Sequence, residues 1–128
     1  MKFDERFFSY FKFGADQTRQ HFANALKDLK IAETDKILDV KFNYVYSALL
    51  KAGIALLCHY QAKAKSVPGH HIKIIEKLAE ILKDEAINDI GNVMRSKRNV
   101  GLYAGGIEVS AKECKEYIDF VKKIGSVN

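Results

Sequence analysis

Hydrophobic residues recur along this chain with the spacing of amphipathic helices. Over residues 16–31, apolar side chains keep the i, i+3, i+4, i+7 spacing that predicts a first helix. A longer second helix is predicted over about residues 36–65, with Thr34 as its N-cap. Apolar residues lie on more than one side of this helix, so we expect it at the centre of the fold. The aromatic-rich residues 3–14 are predicted to form a lead-in segment or the start of the first helix.

Breaks in the apolar pattern separate the remaining helices. Pro68 and Gly69 predict a turn, and a third helix follows over about residues 70–82. A fourth helix is predicted to begin near Asp84 and to end before the glycine-rich segment 101–106, which predicts a loop. That segment lacks the lysine of a P-loop and follows a helix instead of a strand, which excludes a nucleoside-triphosphate cradle.

The last helix begins at a capping box. Ser110 and Glu113 have the spacing in which each side chain bonds to the backbone of the other. Four or five helices joined by short loops predict an all-α fold, an up-and-down helical bundle. We expect residues 1–128 to form one domain, with residues 1–14 as its lead-in.

Composition supports this prediction and narrows the class of protein. The chain is 48% hydrophobic with a single proline, which suits long helices. Its longest apolar run, residues 53–58, is too short to cross a bilayer, so we expect a cytoplasmic protein without a membrane segment. Cys58 and Cys114 match no metal-binding spacing and are expected to be buried thiols, so neither a metal nor another cofactor is predicted. The formal net charge of +5 permits a phosphate-rich partner without requiring one.

Arg98 occupies a position where the helical spacing predicts an apolar residue. Because a helix turns about 100° per residue, Met94 and Arg98 both fall within about 20° of Ile87 on the fourth helix. One interpretation is that the last turn of the fourth helix extends beyond the core, so that Arg98 is exposed to solvent. The other is a guanidinium held at the mouth of the bundle to bind a phosphate or a carboxylate, flanked by Arg95 and Lys97.

Polar residues on other helices are candidates to accompany Arg98. Asn43 and Ser47 lie one turn apart on the second helix, although Ser47 is expected to bond back to its own helix. His70 and His71 are adjacent, and neighbouring helical residues point about 100° apart, so they form no chelating pair. Either histidine is a candidate general acid or base, but no partner for it is visible in the sequence.

The order of these features resembles the HEPN superfamily. The similar parts are FNYVYSALLKAGIALL at 42–57, the PGHH turn at 68–71, the apolar third helix and RSKRNVGLY at 95–103, within residues 15–125. The resemblance implies a helical bundle that commonly forms homodimers. It further implies either a metal-independent ribonuclease, including toxins encoded beside a nucleotidyltransferase-like antitoxin, or a non-catalytic RNA-binding or accessory domain.

The resemblance also assigns roles to individual residues. Catalytic members carry an arginine followed four to six residues later by a histidine, with a polar residue on an earlier helix. Arg98 matches the arginine, Asn99 matches the polar residue that often follows it, and Asn43 or Ser47 matches the earlier polar group. Tyr103 stands five positions after Arg98, and no histidine lies downstream.

This departure weakens the expectation of catalysis. The pKa of tyrosine is about 10 and that of histidine about 6.5, so Tyr103 is a poor base near neutral pH, although it can hydrogen-bond or stack on a nucleobase. His70 or His71 replaces the missing histidine only if their loop folds toward Arg98.

Three functions follow from these residues. The leading hypothesis is an RNA-binding or accessory component of a toxin–antitoxin or defence system, with weakened or lost ribonuclease activity. Its RNA contacts are predicted at Arg95, Lys97, Arg98, Asn99 and Tyr103. The alternatives are an active metal-independent endoribonuclease toxin and a non-catalytic interaction module. Such a module pairs with itself or with a nucleotidyltransferase-like partner, and Arg98 then bridges to a carboxylate.

Overall fold

The computed structural model describes residues 2–126, which fold into five helices and one two-stranded antiparallel sheet. The helices are α1 (Ala15–Thr34), α2 (Leu38–His59), α3 (His70–Leu82), α4 (Glu85–Ala104) and α5 (Ala111–Ser126), and the strands are β1 (Phe8–Tyr10) and β2 (Ala62–Ala64). This confirms the predicted all-α helical bundle. Of the predicted domain 1–128, residues 1, 127 and 128 lie outside the described residues.

Helix α2 is the centre of the bundle and contacts each of the other four helices. Its side chains at Phe42, Val45 and Leu49 are fully buried, as the apolar spacing predicts. Two apolar residues within the first and second predicted helices are exposed, since Leu26 is 58% exposed on α1 and Tyr60 is 43% exposed beyond the end of α2. None of the helices in the described residues has a stretch long and apolar enough to span a bilayer.

The predicted end of the second helix at residue 65 is wrong. Helix α2 stops at His59, and Gln61 adopts a left-handed conformation with φ 58° that turns the chain into β2. The Gln61 side chain accepts a hydrogen bond from the Phe13 N–H at 2.7 Å and donates one to the Phe13 carbonyl at 3.3 Å. These bonds and the pairing of β1 with β2 hold the lead-in segment against the bundle.

The predicted N-cap at Thr34 is also wrong, because Thr34 is the last residue of α1. Its hydroxyl donates back to the carbonyl of Lys30 at 2.9 Å. The ammonium of Lys41 donates to the carbonyls of Ala32, Glu33 and Asp35 at 2.8, 3.2 and 3.0 Å, respectively. Lys41 therefore caps the negative end of α1 from the first turn of α2.

Helix α4 continues through most of the predicted loop at 101–106. Gly101 is buried within α4, where a Cβ atom would lie 2.6 Å from the Ile107 side chain, so this glycine serves close packing. The turn falls at Gly105, whose φ of 83° suits glycine. The predicted Ser110–Glu113 capping box is present, with both bonds formed at 3.0 and 3.2 Å.

Two further glycines set how closely α3 approaches its neighbours. A Cβ atom at Gly53 on α2 would lie 2.7 Å from the Ile74 side chain, and one at Gly91 on α4 would lie 2.6 Å from the Ile75 side chain. The absence of side chains at both glycines allows α3 to pack tightly against α2 and α4. This packing brings the start of α3 beside the end of α4, where the candidate site lies.

Candidate functional site

Two adjoining cavities open between α2, the first turn of α3 and the last turns of α4. The larger has a volume of about 540 Å³, and we call it the cleft. The smaller has a volume of about 410 Å³, and we call it the side cavity. The cleft is lined by Asn43, Tyr46, Ser47, Leu50, Lys51, Ile54, His71, Arg98 and Leu102. The structure thus brings together Asn43, Ser47, His71 and Arg98, which the sequence analysis singled out separately.

Arg98 is half-buried and lies over an aromatic ring. Its guanidinium carbon is 5.8 Å from the centroid of Tyr46, which is only 2% exposed. Covering this ring explains why an arginine occupies an apolar helical position, because a guanidinium is attracted to a ring face and its stem is itself apolar. Among the described residues no carboxylate lies within ion-pair distance of Arg98, so its charge is available to an anion.

His71 is the group of the cleft whose ordinary pKa lies nearest to neutral pH. Its Nδ1 lies 3.3 Å from the Tyr46 hydroxyl. Burial lowers the pKa of His71, and the nearby charges of His70, Arg98 and Arg95 lower this pKa further. Burial raises the pKa of the Tyr46 hydroxyl, against the opposing effect of Arg98. His71 is therefore neutral near pH 7 and can accept a proton, which is the condition for a general base.

The side cavity adjoins the cleft at His71, which lines both. Its other walls are Ser66, Val67, Pro68, Gly69, His70, Ile72, Arg95 and Asn99. The Nδ1 of His70 lies 2.8 Å from the Val67 carbonyl, which can only accept, so this nitrogen carries a proton. Arg95 and Asn99, both predicted as RNA contacts, thus lie beside Arg98 on the same side of α4.

A buried carboxylate beneath the cleft is the functional feature that sequence reasoning missed. Asp28 on α1 is 4% exposed, accepts a hydrogen bond from the Ser47 hydroxyl at 2.6 Å and lies 2.7 Å from the Lys51 ammonium. The expectation that Ser47 bonds back to its own helix is therefore wrong. A signal was present, since Asp28 follows Ala25 by three residues and so falls on the apolar stripe of α1.

Two of the predicted contact residues line neither the cleft nor the side cavity. The Lys97 ammonium is 3.1 Å from Glu113 and 3.3 Å from the carbonyl of Glu108, and the Glu113 hydrogen bond raises the pKa of Lys97. Tyr103 is 92% exposed. Because α4 continues to residue 104, Tyr103 points about 140° away from Arg98 around the helix.

Comparison of the chain with protein-family models, with curated proteins and with solved structures found no match. The resemblance to the HEPN superfamily therefore rests on the sequence pattern alone. Over residues 2–126, no group of three or more His, Cys, Asp and Glu side chains comes together in a way that could hold a metal ion. The fold and the cleft define the protein as an all-α bundle with an arginine–histidine–tyrosine site.

Protonation of His71 should make stability depend on pH in a defined direction. The pKa of His71 is lower in the folded chain than its ordinary value of 6.5. The unfolded chain therefore binds the proton more readily, and the free energy of unfolding should fall as the pH drops through about 6.5, until the folded ring is also protonated. NMR titration of the His71 ring should give a midpoint below 6.5, and Arg98→Ala should raise it by removing a nearby cation. A midpoint at or above 6.5 in the wild type contradicts the burial of this ring.

Proposed function

We propose that this protein binds RNA through the cleft and the side cavity, as an RNA-binding or accessory component of a toxin–antitoxin or defence system in the cytoplasm. In this proposal, ribonuclease activity is weakened or lost, as the tyrosine at position 103 suggests. The observation that carries the proposal is the half-buried Arg98, which has no carboxylate partner within residues 2–126 and lines the cleft together with His71. A fixed guanidinium of this kind suits the oxygens of a phosphate group.

The two parts of the site suit the two parts of a nucleotide. Arg98 faces the cleft and Arg95 faces the side cavity, and their i, i+3 spacing makes them neighbours on one side of α4. Leu50 and Ile54 provide an apolar wall for a base, and the amide of Asn43 can hydrogen-bond to a base edge. Cationic side chains that follow the backbone are a general feature of single-stranded RNA sites, and Arg95 and Arg98 would supply them here.

RNA affinity and its salt dependence test this proposal. Fluorescence anisotropy of a labelled single-stranded RNA should give binding at low salt. If the two arginines make the phosphate contacts, the logarithm of the affinity should fall against the logarithm of the salt concentration with a slope of about −1.4. Absence of binding to RNA at low salt would falsify the proposal.

A second candidate function, an active metal-independent endoribonuclease, is favoured by the position of His71. In this reaction a ring nitrogen of His71 takes the proton from a ribose 2′-hydroxyl, and the 2′-oxygen forms a bond to phosphorus. The bond from phosphorus to the 5′-oxygen breaks, and that oxygen takes a proton from water. Arg98 would stabilise the charge on the phosphoryl oxygens. The products are a 2′,3′-cyclic phosphate and a 5′-hydroxyl.

Cleavage in the presence of EDTA tests this second function. His71→Ala should lower the rate by about 100-fold or more, because it removes the base and leaves Arg98 in place. His59→Ala is the matched control, since this histidine is exposed at the end of α2, and it should cleave like the wild type. Equal cleavage by the wild type and by His71→Ala points to a contaminating nuclease and ends this function.

We further propose a homodimer, or a complex with a nucleotidyltransferase-like partner. Three apolar residues on the side of α4 away from Leu102 support an interface, since Val93, Val100 and Tyr103 are 52–92% exposed. In the interaction-module form of this proposal, Arg98 bridges to a carboxylate of the partner. Light scattering should give a dimer mass at micromolar concentration or a complex with the product of the neighbouring gene, and a monomer in both measurements counts against the interface.

A further inference from the structure

Acidic residues are missing from three stretches of the sequence that meet on one side of the protein. No Asp or Glu occurs in residues 6–15, 40–75 or 90–107. These stretches contain both strands, α2 from Val40 onward, the start of α3 and the end of α4, and they provide every residue that lines the cleft and the side cavity. All the charged side chains that these stretches contribute are therefore cationic, and such segregation favours a polyanionic partner.

Aromatic side chains are exposed on the two-stranded sheet and directly after its first strand. We call β1 and β2 with their flanking residues, 7–13 and 60–65, the ribbon. Tyr10 is 78% exposed and Phe11 is 41% exposed, and the Lys63 ammonium lies 5.3 Å from the centroid of the Phe11 ring. Exposed rings beside cations are the elements that stack on unpaired bases and neutralise the phosphates between them.

The ribbon is continuous with the side cavity. Residues 66–69, which form one wall of the side cavity, follow directly after the ribbon along the chain. The Lys65 N–H donates to the Phe7 carbonyl at 2.7 Å, and a Cβ atom at Gly69 would lie 3.9 Å from the Phe7 ring. The cleft, the side cavity, this loop and the ribbon therefore form a connected series of surfaces.

We propose that the ribbon is a second RNA-contacting surface, which extends the cleft and the side cavity into one track for a single strand. Tyr10 and Phe11 stack on bases of that strand, and Lys63 contacts its backbone. A single strand fits because its bases are free to stack on protein rings, whereas those of a duplex stack on one another. RNA is favoured over an anionic membrane because a strand can enter the cavities that continue the ribbon, and a bilayer surface cannot. This inference rests on the proposed RNA-binding function.

RNAs of two lengths distinguish binding along the whole track from binding in the cleft alone. Single-stranded RNAs of about 4 and about 16 nucleotides correspond to the two ends of the usual range of site sizes, and only the longer one should reach from the cleft to the ribbon. The wild type should bind the longer RNA more tightly, and Tyr10→Ala should lower that affinity by about tenfold while leaving the affinity for the shorter RNA unchanged. Tyr10→Phe is the matched control, because it keeps the ring and should bind both RNAs like the wild type. Thermal unfolding of each variant reports whether its fold is intact.

The outcomes distinguish this inference from the function on which it rests. Binding of both RNAs with no effect of Tyr10→Ala on the longer one overturns the track and leaves RNA binding by the cleft in place. If a duplex of the longer RNA binds as tightly as the single strand or more tightly, the proposal of a single-strand track is also overturned. Failure of the wild type to bind either RNA overturns the proposed function and the track with it. The last measurement uses vesicles of phosphatidylcholine and phosphatidylserine in equal amounts. If the wild type binds these vesicles, Tyr10→Ala abolishes this binding, and RNA length has no effect on RNA affinity, then the ribbon binds a membrane and the proposal is overturned.

Discussion

Replacing Arg98 with alanine is expected to lower the affinity for single-stranded RNA by about 10- to 100-fold, the loss typical of a hydrogen bond between charged groups. The guanidinium is half-buried against Tyr46 and has no carboxylate partner among the described residues, so a phosphate would be its principal charged contact. Arg98→Lys keeps the charge but loses the planar fork and the ring contact, so it should retain an intermediate affinity. Anisotropy titrations at low salt measure all three proteins.

Lys97→Ala is the contrasting variant for this experiment. It removes the same charge from the neighbouring position of α4, but the ammonium of Lys97 pairs with Glu113 outside the cleft. Its affinity for RNA should therefore stay within about twofold of the wild type, since only distant, screened electrostatics change. Equal losses for Arg98→Ala and Lys97→Ala would mean that net charge alone attracts RNA, and the cleft would have no special role.

Replacing Gly91 with valine is expected to lower the free energy of unfolding by about 3 kcal/mol, at the upper end of the cost of overpacking a core. A Cβ atom at this position would lie 2.6 Å from Cγ2 of Ile75 and 3.4 Å from Leu49. Ile75 and Leu49 are fully buried, so neither side chain can move aside freely. Since α3 must move away from α4, His71 should also separate from Arg98, and RNA affinity should fall together with stability.

The matched control for Gly91→Val is Gly125→Val. Gly125 lies in α5, and a Cβ atom there would meet nothing within 4 Å, so this variant should unfold within about 0.5 kcal/mol of the wild type. Urea denaturation measures both proteins. If Gly91→Val fails to fold, the smaller Gly91→Ala provides the measurable loss. A Gly91→Ala protein as stable as Gly125→Ala would show that α3 and α4 are not closely packed.

Local sequence features predicted those parts of the fold that depend on residues close along the chain. Helix α3 begins and ends as predicted, because the Pro68–Gly69 turn and the apolar spacing after it are local signals. The capping box at Ser110 and Glu113 is equally local. The end of α2 was not predictable in this way, since it depends on Gln61 bonding to Phe13 and on the pairing of two strands distant in sequence.

The residues of the candidate site also differ in whether local sequence features predict their positions. The helical wheel identified Arg98 from the sequence, because its position relative to Ile87 and Met94 follows from helix geometry alone. The direction of Tyr103 was not fixed by the sequence pattern, since it depends on α4 continuing through a glycine-rich segment that predicts a loop.

By itself, the sequence determined an all-α bundle, the central place of α2 and one arginine at an apolar position, because each of these follows from spacing within a single helix. Only the tertiary structure decided that His71 lies beside Arg98, that Asp28 lies beneath Ser47, and that Lys97 and Tyr103 point elsewhere. These placements depend on the close packing of α3 at Gly53 and Gly91 and on the contact of α1 with α2. Such contacts join residues far apart in the chain, and no local pattern specifies which faces of two helices will meet.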